Sequence, residues 1–139
     1  MRRWRDIGLN PPRCSVNLSV RQFSHDAIVD EVRAALEQAR LESDALEVEI
    51  TESMLMADTE RAQAVMNSLH QLGIRIAIDD FGTSYSSLAY LKRFPAKTLK
   101  IDRSFVQGLP DDRDDAAITQ AVIAMAHSLG MRVVAEGVE

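Results

Sequence analysis

Six polar side chains recur along the chain at the intervals that a repeating strand–helix unit would set: Asn17, Glu49, Asp79 with its neighbour Asp80, Lys100 and Glu136. Taking Asp79 for the pair, the successive separations are 32, 30, 21 and 36 residues. Gathered in one place, they would offer four carboxylates, an amide and an ammonium. Crowded carboxylates raise one another's pKa and need a cation to stay ionised together. An all-oxygen set of Asp, Glu and Asn suits hard Mg²⁺ or Mn²⁺ and does not suit zinc. Two such ions about 3.5–4 Å apart clamp a phosphoryl group and acidify a water. Lys100 would orient that water or offset charge developing on the phosphate. The chemistry in view is metal-assisted hydrolysis of a phosphate ester.

Each residue also has a plainer reading. Glu49 alternates with Glu47 and would face solvent on an ordinary strand. Asp79-Asp80 before Gly82 reads as a strand-to-turn signal. Lys100 is equally at home on a barrel surface, Glu136 and Glu139 in a loop, and Asn17 as an interior amide. His25, His70 and His127 read as helix residues away from the strand ends, and the methionines as packing. The joint occurrence, one polar residue per strand, favours the site.

The elements that must position these groups alternate between two periods. Strands are expected over 14–19, 46–51, 74–80, 98–102 and 131–138. The clearest alternation is LEVEIT, with Leu46, Val48 and Ile50 between Glu47, Glu49 and Thr51. Helices are expected over 24–40 with Ser24 as N-cap, over 58–72 with Asp58 or Thr59 as cap, around 86–92, and over 113–129. The last would bury Ile118, Ala121, Val122, Met125 and Leu129, and Asp111, Asp112, Asp114 and Asp115 form its solvated start. Such alternation predicts parallel βαβ units. A doubly wound sheet would carry a Gly-rich phosphate loop after its first strand, and the glycines here are scattered singly. The expected fold is therefore α/β, a partial TIM-like (β/α) barrel with about five of the eight strands.

Composition narrows the classes. The chain has 139 residues, 46% of them hydrophobic and 27% charged, which fits one globular domain and excludes disorder or low complexity. Lys and Arg total 16 against 21 Asp and Glu, for a net charge of -5, so no basic field exists to attract nucleic acid polymers. The single cysteine, Cys14, excludes an internal disulfide and any Cys-rich metal site. No apolar run nears the ~18 residues of a membrane span, and MRRWRDIG lacks the apolar stretch of a signal peptide. The expected setting is the reducing cytoplasm, with no membrane contact by this segment.

The strings VNLSVRQF (16–23), LEVEITES (46–53), IAIDDFGTSYSSLAYLKRFP (76–95), LKIDRSFV (99–106) and VVAEGVE (133–139) resemble the EAL domain family, the cyclic di-GMP phosphodiesterases of bacterial signalling. DDFGTSYSSL is the most specific of them. The resemblance implies a TIM-like barrel with one antiparallel strand and hydrolysis of cyclic di-GMP to linear pGpG with two Mg²⁺ or Mn²⁺ ions. It implies Asn17, Glu49, Asp79 and Asp80 as metal ligands, with Asp79 bridging. Lys100 would contact the catalytic water and Glu136 would hold a metal-bound water. Glu52 would brace the loop after the aspartate pair. Phe81, Gly82, Thr83, Ser84, Asp102 and Glu139 would belong to the loop and substrate surroundings. A homodimer through the 81–88 loop region and flanking sensory or cyclase domains are among the implied partners.

The chain departs from the family pattern at both ends. The E-x-L motif, with its metal-binding glutamate and its arginine, and the last strand with its glutamine are absent. Residues 1–139 are therefore read as the central and C-terminal part of an EAL domain. Two other classes of function stay open at this point: a non-catalytic cyclic di-GMP-binding or interaction module, and an inactive fragment.

Overall fold

The computed structural model describes residues 2–9, 12–83 and 88–138, without the side chains of Arg2, Arg5 and Leu88. In chain order the elements are α1 (Arg2–Asp6), β1 (Cys14–Asn17), α2 (Val20–Phe23), α3 (Ile28–Ala39), β2 (Leu46–Thr51), α4 (Glu52–Ala57), α5 (Thr59–Gln71), β3 (Arg75–Phe81), α6 (Leu88–Leu91), β4 (Thr98–Ile101), α7 (Arg113–Ser128) and β5 (Arg132–Ala135). Short 3₁₀ turns lie at Ser43–Ala45 and Arg103–Phe105.

The strands form one parallel sheet in the order β1-β2-β3-β4-β5. Strand order that follows chain order, with a helix in every crossover, is the winding of a (β/α) barrel. A doubly wound sheet would reverse direction part-way. Alternation along each strand divides the side chains into two sets. Val48, Ile50, Ile76, Ile78, Leu99 and Ile101 are fully buried in the apolar cluster shared with the helices. Glu47, Glu49, Asp79, Thr98 and Lys100 occupy the opposite face. α5 packs on β3, and α7 packs on β4 and β5. β1 and β5 flank the sheet and are its most exposed strands.

Two local expectations are corrected. Ser24 does not begin the helix after β1. Ser19 does, through a capping box with Gln22: Gln22 N–H donates to Ser19 Oγ at 3.3 Å, and Ser19 N–H donates to Gln22 Oε1 at 3.1 Å. That helix, α2, is a single turn, and α3 begins four residues after Ser24 with no side-chain cap. In α7 the buried face is rotated: Thr119 and Ala126 are buried, whereas Ala121 and Leu129 are exposed and Ile118 is 41% exposed. Apolar residues cover so much of α7 that periodicity does not fix its rotation. The hydrogen bond from Thr119 Oγ1 to Phe105 O, at 3.2 Å, accompanies the observed setting. Asp112 caps this helix by accepting from the N–H groups of Asp114 and Asp115.

Candidate active site at the strand ends

The carboxylates meet because of a bulge in β3. Ile78 pairs with Leu99 and Phe81 pairs with Ile101, so two residues, Asp79 and Asp80, stand opposite Lys100 alone. A regular strand would send consecutive side chains to opposite faces. Here Asp80 adopts a left-handed backbone (φ +53), and Phe81 returns to the apolar core beside Ile101. Carboxylate oxygens of Asp79, Asp80 and Glu136 consequently all lie within 4.8 Å of one another. Asp80 N–H also donates to Asp79 Oδ1 at 3.1 Å.

Lys100 enters this cluster from β4. Its Nζ lies 2.9 Å from Glu49 Oε2, 3.1 Å from Asp79 Oδ1 and 2.5 Å from Glu136 Oε1. Its side chain is only 13% exposed, while that of Glu136 is 34% exposed, so the cluster is dry on the strand side and open toward Glu136. Burial pulls the Lys100 ammonium down, but the hydrogen bonds to Glu136, Glu49 and Asp79 outweigh it and hold the group above the ordinary lysine range. Asp80 is pushed the other way. Burial raises its carboxyl above the usual range, the charges of Asp79, Asp102 and Glu136 raise it further, and Lys100 opposes them. Four carboxylates thus face one ammonium. The donor set is all oxygen, crowded and short of positive charge, which fits a hard divalent cation.

The surrounding residues set the loop after the pair. Glu52, at the start of α4, is buried and accepts from Gly82 N–H at 2.9 Å. Gly82 needs its lack of a side chain twice over: its φ is +103, and a Cβ there would sit 2.8 Å from Phe105 Cε2. Thr83 Oγ1 donates to Asp80 O at 2.8 Å and closes the turn. Phe81 is packed in the core, so it anchors the loop from below and does not line the mouth.

Asp102 caps the 3₁₀ turn, accepting from Ser104 Oγ at 2.5 Å and from Ser104 N–H at 2.9 Å, and these bonds hold its carboxyl below the usual range. Gly137 (φ +67) follows Glu136, and a Cβ there would meet Arg103 Cγ at 2.5 Å. Asn17 stands opposite Glu49 in the β1–β2 register and is exposed. Ser84 and Glu139 lie outside the described residues. His70 and His127 lie on α5 and α7, whereas His25 lies between α2 and α3 and pairs with Glu31 at 3.1 Å.

Two features had no place in the sequence reading. The bulge has no signature beyond the adjacent aspartates and the glycine that follows. The short helix α4 holds too few residues to show a period.

Comparison with known proteins places this geometry. The EAL domain family model matches residues 1–139. MucR of Pseudomonas aeruginosa, a bifunctional diguanylate cyclase/cyclic di-GMP phosphodiesterase, is 49% identical over 139 residues, covering 100% of this chain and 20% of that protein. The solved MucR phosphodiesterase in complex with c-di-GMP matches with a TM-score of 0.94 and 48% identity, over 99% of this chain and 56% of that one. BlrP1 of Klebsiella pneumoniae, solved as a manganese/cyclic-di-GMP complex, matches with a TM-score of 0.85 and 31% identity, over 98% of this chain and 35% of that one. The chain thus spans about a fifth of the length of the curated relative MucR.

Proposed function

Because the chain belongs to the EAL domain family, we propose that it serves a divalent-cation-dependent phosphodiesterase that opens cyclic di-GMP to linear pGpG. The observation that carries this reading is the bulge at Asp79-Asp80, which turns two consecutive carboxylates toward Glu136 and Lys100. In this reading residues 1–139 are the central and C-terminal part of the domain.

Asn17, Glu49, Asp79 and Asp80 would hold Mg²⁺ or Mn²⁺, and Asp79, central to the cluster, would serve both ions. When bound, the cations supply charge neutralisation at the phosphodiester and a more acidic attacking water. The remaining work falls to side chains. Lys100, whose Nζ reaches Glu49, Asp79 and Glu136, would act as a hydrogen-bond donor that orients the attacking water. Glu136, the most exposed of the three carboxylates on Lys100, holds water at the open side. Glu52 fixes the start of the loop after the aspartate pair through its bond to Gly82 N–H, and Gly82, Thr83 and Ser84 would belong to the substrate surroundings. Asp102 adds negative charge beside Asp80, and Glu139 would join the same surroundings. The water oxygen bonds to phosphorus, one phosphodiester P–O bond breaks, and the leaving oxygen takes up a proton as the water gives one up.

The same family reading assigns cyclic di-GMP as the ligand, a homodimer through the 81–88 loop region and flanking sensory or cyclase domains as partners, and the cytoplasm as the setting. No helix among the described residues is long and apolar enough to cross a membrane. The test is conversion of cyclic di-GMP to pGpG by the complete EAL domain with Mg²⁺ or Mn²⁺, followed by chromatography. Binding of cyclic di-GMP without any product would overturn the enzymatic reading in favour of a binding module.

A further inference from the structure

A second row of polar side chains lies on the same face of the sheet, one step nearer the N-terminal ends of the strands. Ser15, Glu47 and Thr98 precede Asn17, Glu49 and Lys100 by two residues each, so strand alternation turns both rows to one side. Glu47 is 9% exposed and Thr98 is 2% exposed. Glu47 spans three neighbours. Its Oε1 accepts from Ser15 Oγ on β1 at 3.4 Å, and its Oε2 accepts from Thr98 Oγ1 on β4 at 3.4 Å. Arg132 on β5 completes the row: Nη2 donates to Thr98 Oγ1 at 3.2 Å and lies 3.8 Å from Glu47 Oε2.

β3 passes between Glu47 and Thr98: it places Arg75 opposite Glu47 and, beside Thr98, only the methyl group of Ala77. Ala77 is the register partner of both Glu49 and Thr98. A longer side chain there would stand between the Glu47 carboxylate and the Thr98 hydroxyl. The upper row uses the same reach across β3, since Lys100 on β4 meets Glu49 on β2 at 2.9 Å.

A buried carboxylate is costly unless it is paired and hydrogen-bonded, and an apolar residue would fill this position more cheaply. What the carboxylate adds is a set of side-chain bonds linking β1, β2 and β4, with Arg132 extending them to β5. Asn17, Glu49, Lys100 and Glu136 come from those same strands or their ends. We propose that Glu47 is a positioning residue for the carboxylate–lysine cluster: it sets the spacing of β2 against β4, and through it the meeting of Glu49 with Lys100 and the fit of the oxygen donors to a divalent cation. The cation part rests on the functional reading given above.

The test compares wild type with Glu47→Gln, Glu47→Leu and Thr98→Val. The readouts are Mn²⁺ affinity by calorimetry and the NMR resonances of the Lys100 side chain in metal-free protein. Gln keeps an acceptor for one hydroxyl and leaves the row intact, so Glu47→Gln stays near wild type. Glu47→Leu lowers Mn²⁺ affinity by about tenfold or more, the scale seen when groups supporting metal ligands are removed. It also moves the Lys100 resonances toward those of an exposed lysine, and Thr98→Val moves both readouts in the same direction.

A purely structural role predicts a lower melting temperature with Mn²⁺ affinity and Lys100 resonances unchanged in the folded protein, and that result would overturn the proposal. If wild type bound no Mn²⁺, the cation reading would fail on its own. The Lys100 resonances would still decide whether Glu47 positions the cluster. Thr98→Val, close to wild type in volume, decides the matter if Glu47→Leu does not fold.

Discussion

Asp79 and Asp80 are consecutive residues of β3, yet their carboxylates turn to the same mouth. The bulge opposite Lys100 and the left-handed backbone of Asp80 produce this, and Phe81 then returns to the core. One extra residue in one strand therefore doubles the negative charge that β3 presents to the site.

Asparagine tolerates a left-handed backbone, so Asp80→Asn keeps the bulge while removing a charge. The folded pKa of Asp80 is raised, so the folded state binds its proton more readily than the unfolded state. Its ionisation lowers stability as pH rises through that raised value. In EDTA, Asp80→Asn is expected to be at least as stable as wild type at neutral pH, with the difference closing in acid where Asp80 is protonated. Thermal unfolding across the acid range checks the sign. Mn²⁺ affinity should fall in the same variant.

Lys100→Met leaves Glu49, Asp79 and Glu136 without their shared cation. Breaking a buried pair in this way costs about 3–5 kcal/mol, so metal-free protein should lose stability on that scale. The folded pKa of Lys100 is raised, so its stabilisation is fully present below the ordinary lysine value and is lost only as pH rises through the raised one. The deficit should therefore be flat through the neutral range, and Mn²⁺ should recover part of it. Under the proposed chemistry turnover falls more than substrate affinity, and steady-state kinetics would expose a pure affinity loss.

Gly82→Ala places a Cβ 2.8 Å from the Phe105 ring on a backbone at φ +103. Residues held in such regions cost about 1–3 kcal/mol, and denaturant unfolding should report a loss of that order. The variant also disturbs the N–H that Glu52 holds, so the loop after Asp80 should become more susceptible to hydrogen exchange.

Asp102→Ala removes the cap of the 3₁₀ turn, a loss of about 1 kcal/mol by analogy with helix caps. The folded pKa of Asp102 is lowered, so its contribution is present above the ordinary carboxylate value and fades as pH falls through the depressed one. Equilibrium unfolding of variant and wild type should differ at neutral pH and converge in strong acid.

The sheet was legible in the sequence because its strands alternate against an apolar helix layer, as Val48 and Ile50 do between Glu47, Glu49 and Thr51. The cap of α5 was legible as well: Asp58 accepts from Arg61 N–H at 3.0 Å. Ser19 was readable in principle, since Ser-x-x-Gln is a capping box, but Ser24 stood nearer the first apolar residues of the expected helix. The rotation of α7 was not readable, because its apolar residues cover too wide an arc.

Convergence of Glu49, Asp79, Asp80, Lys100 and Glu136 followed from their spacing once a barrel was assumed. Their mutual arrangement did not, because it depends on the bulge, and a bulge is a property of the pairing between two strands. The row through Glu47 escaped notice for a related reason: an alternating strand gives no sign of whether its second face meets solvent or an interior.

The most direct test of the account is the rate of pGpG formation from cyclic di-GMP by the complete EAL domain that contains these residues, as purified wild type and Asp79→Asn, each with Mn²⁺ and after EDTA treatment. The account predicts linear product from wild type with Mn²⁺, none after EDTA, recovery on adding Mn²⁺ back, and none from Asp79→Asn under any condition. Product formation by Asp79→Asn at the wild-type rate, or a wild-type rate indifferent to EDTA, would contradict it.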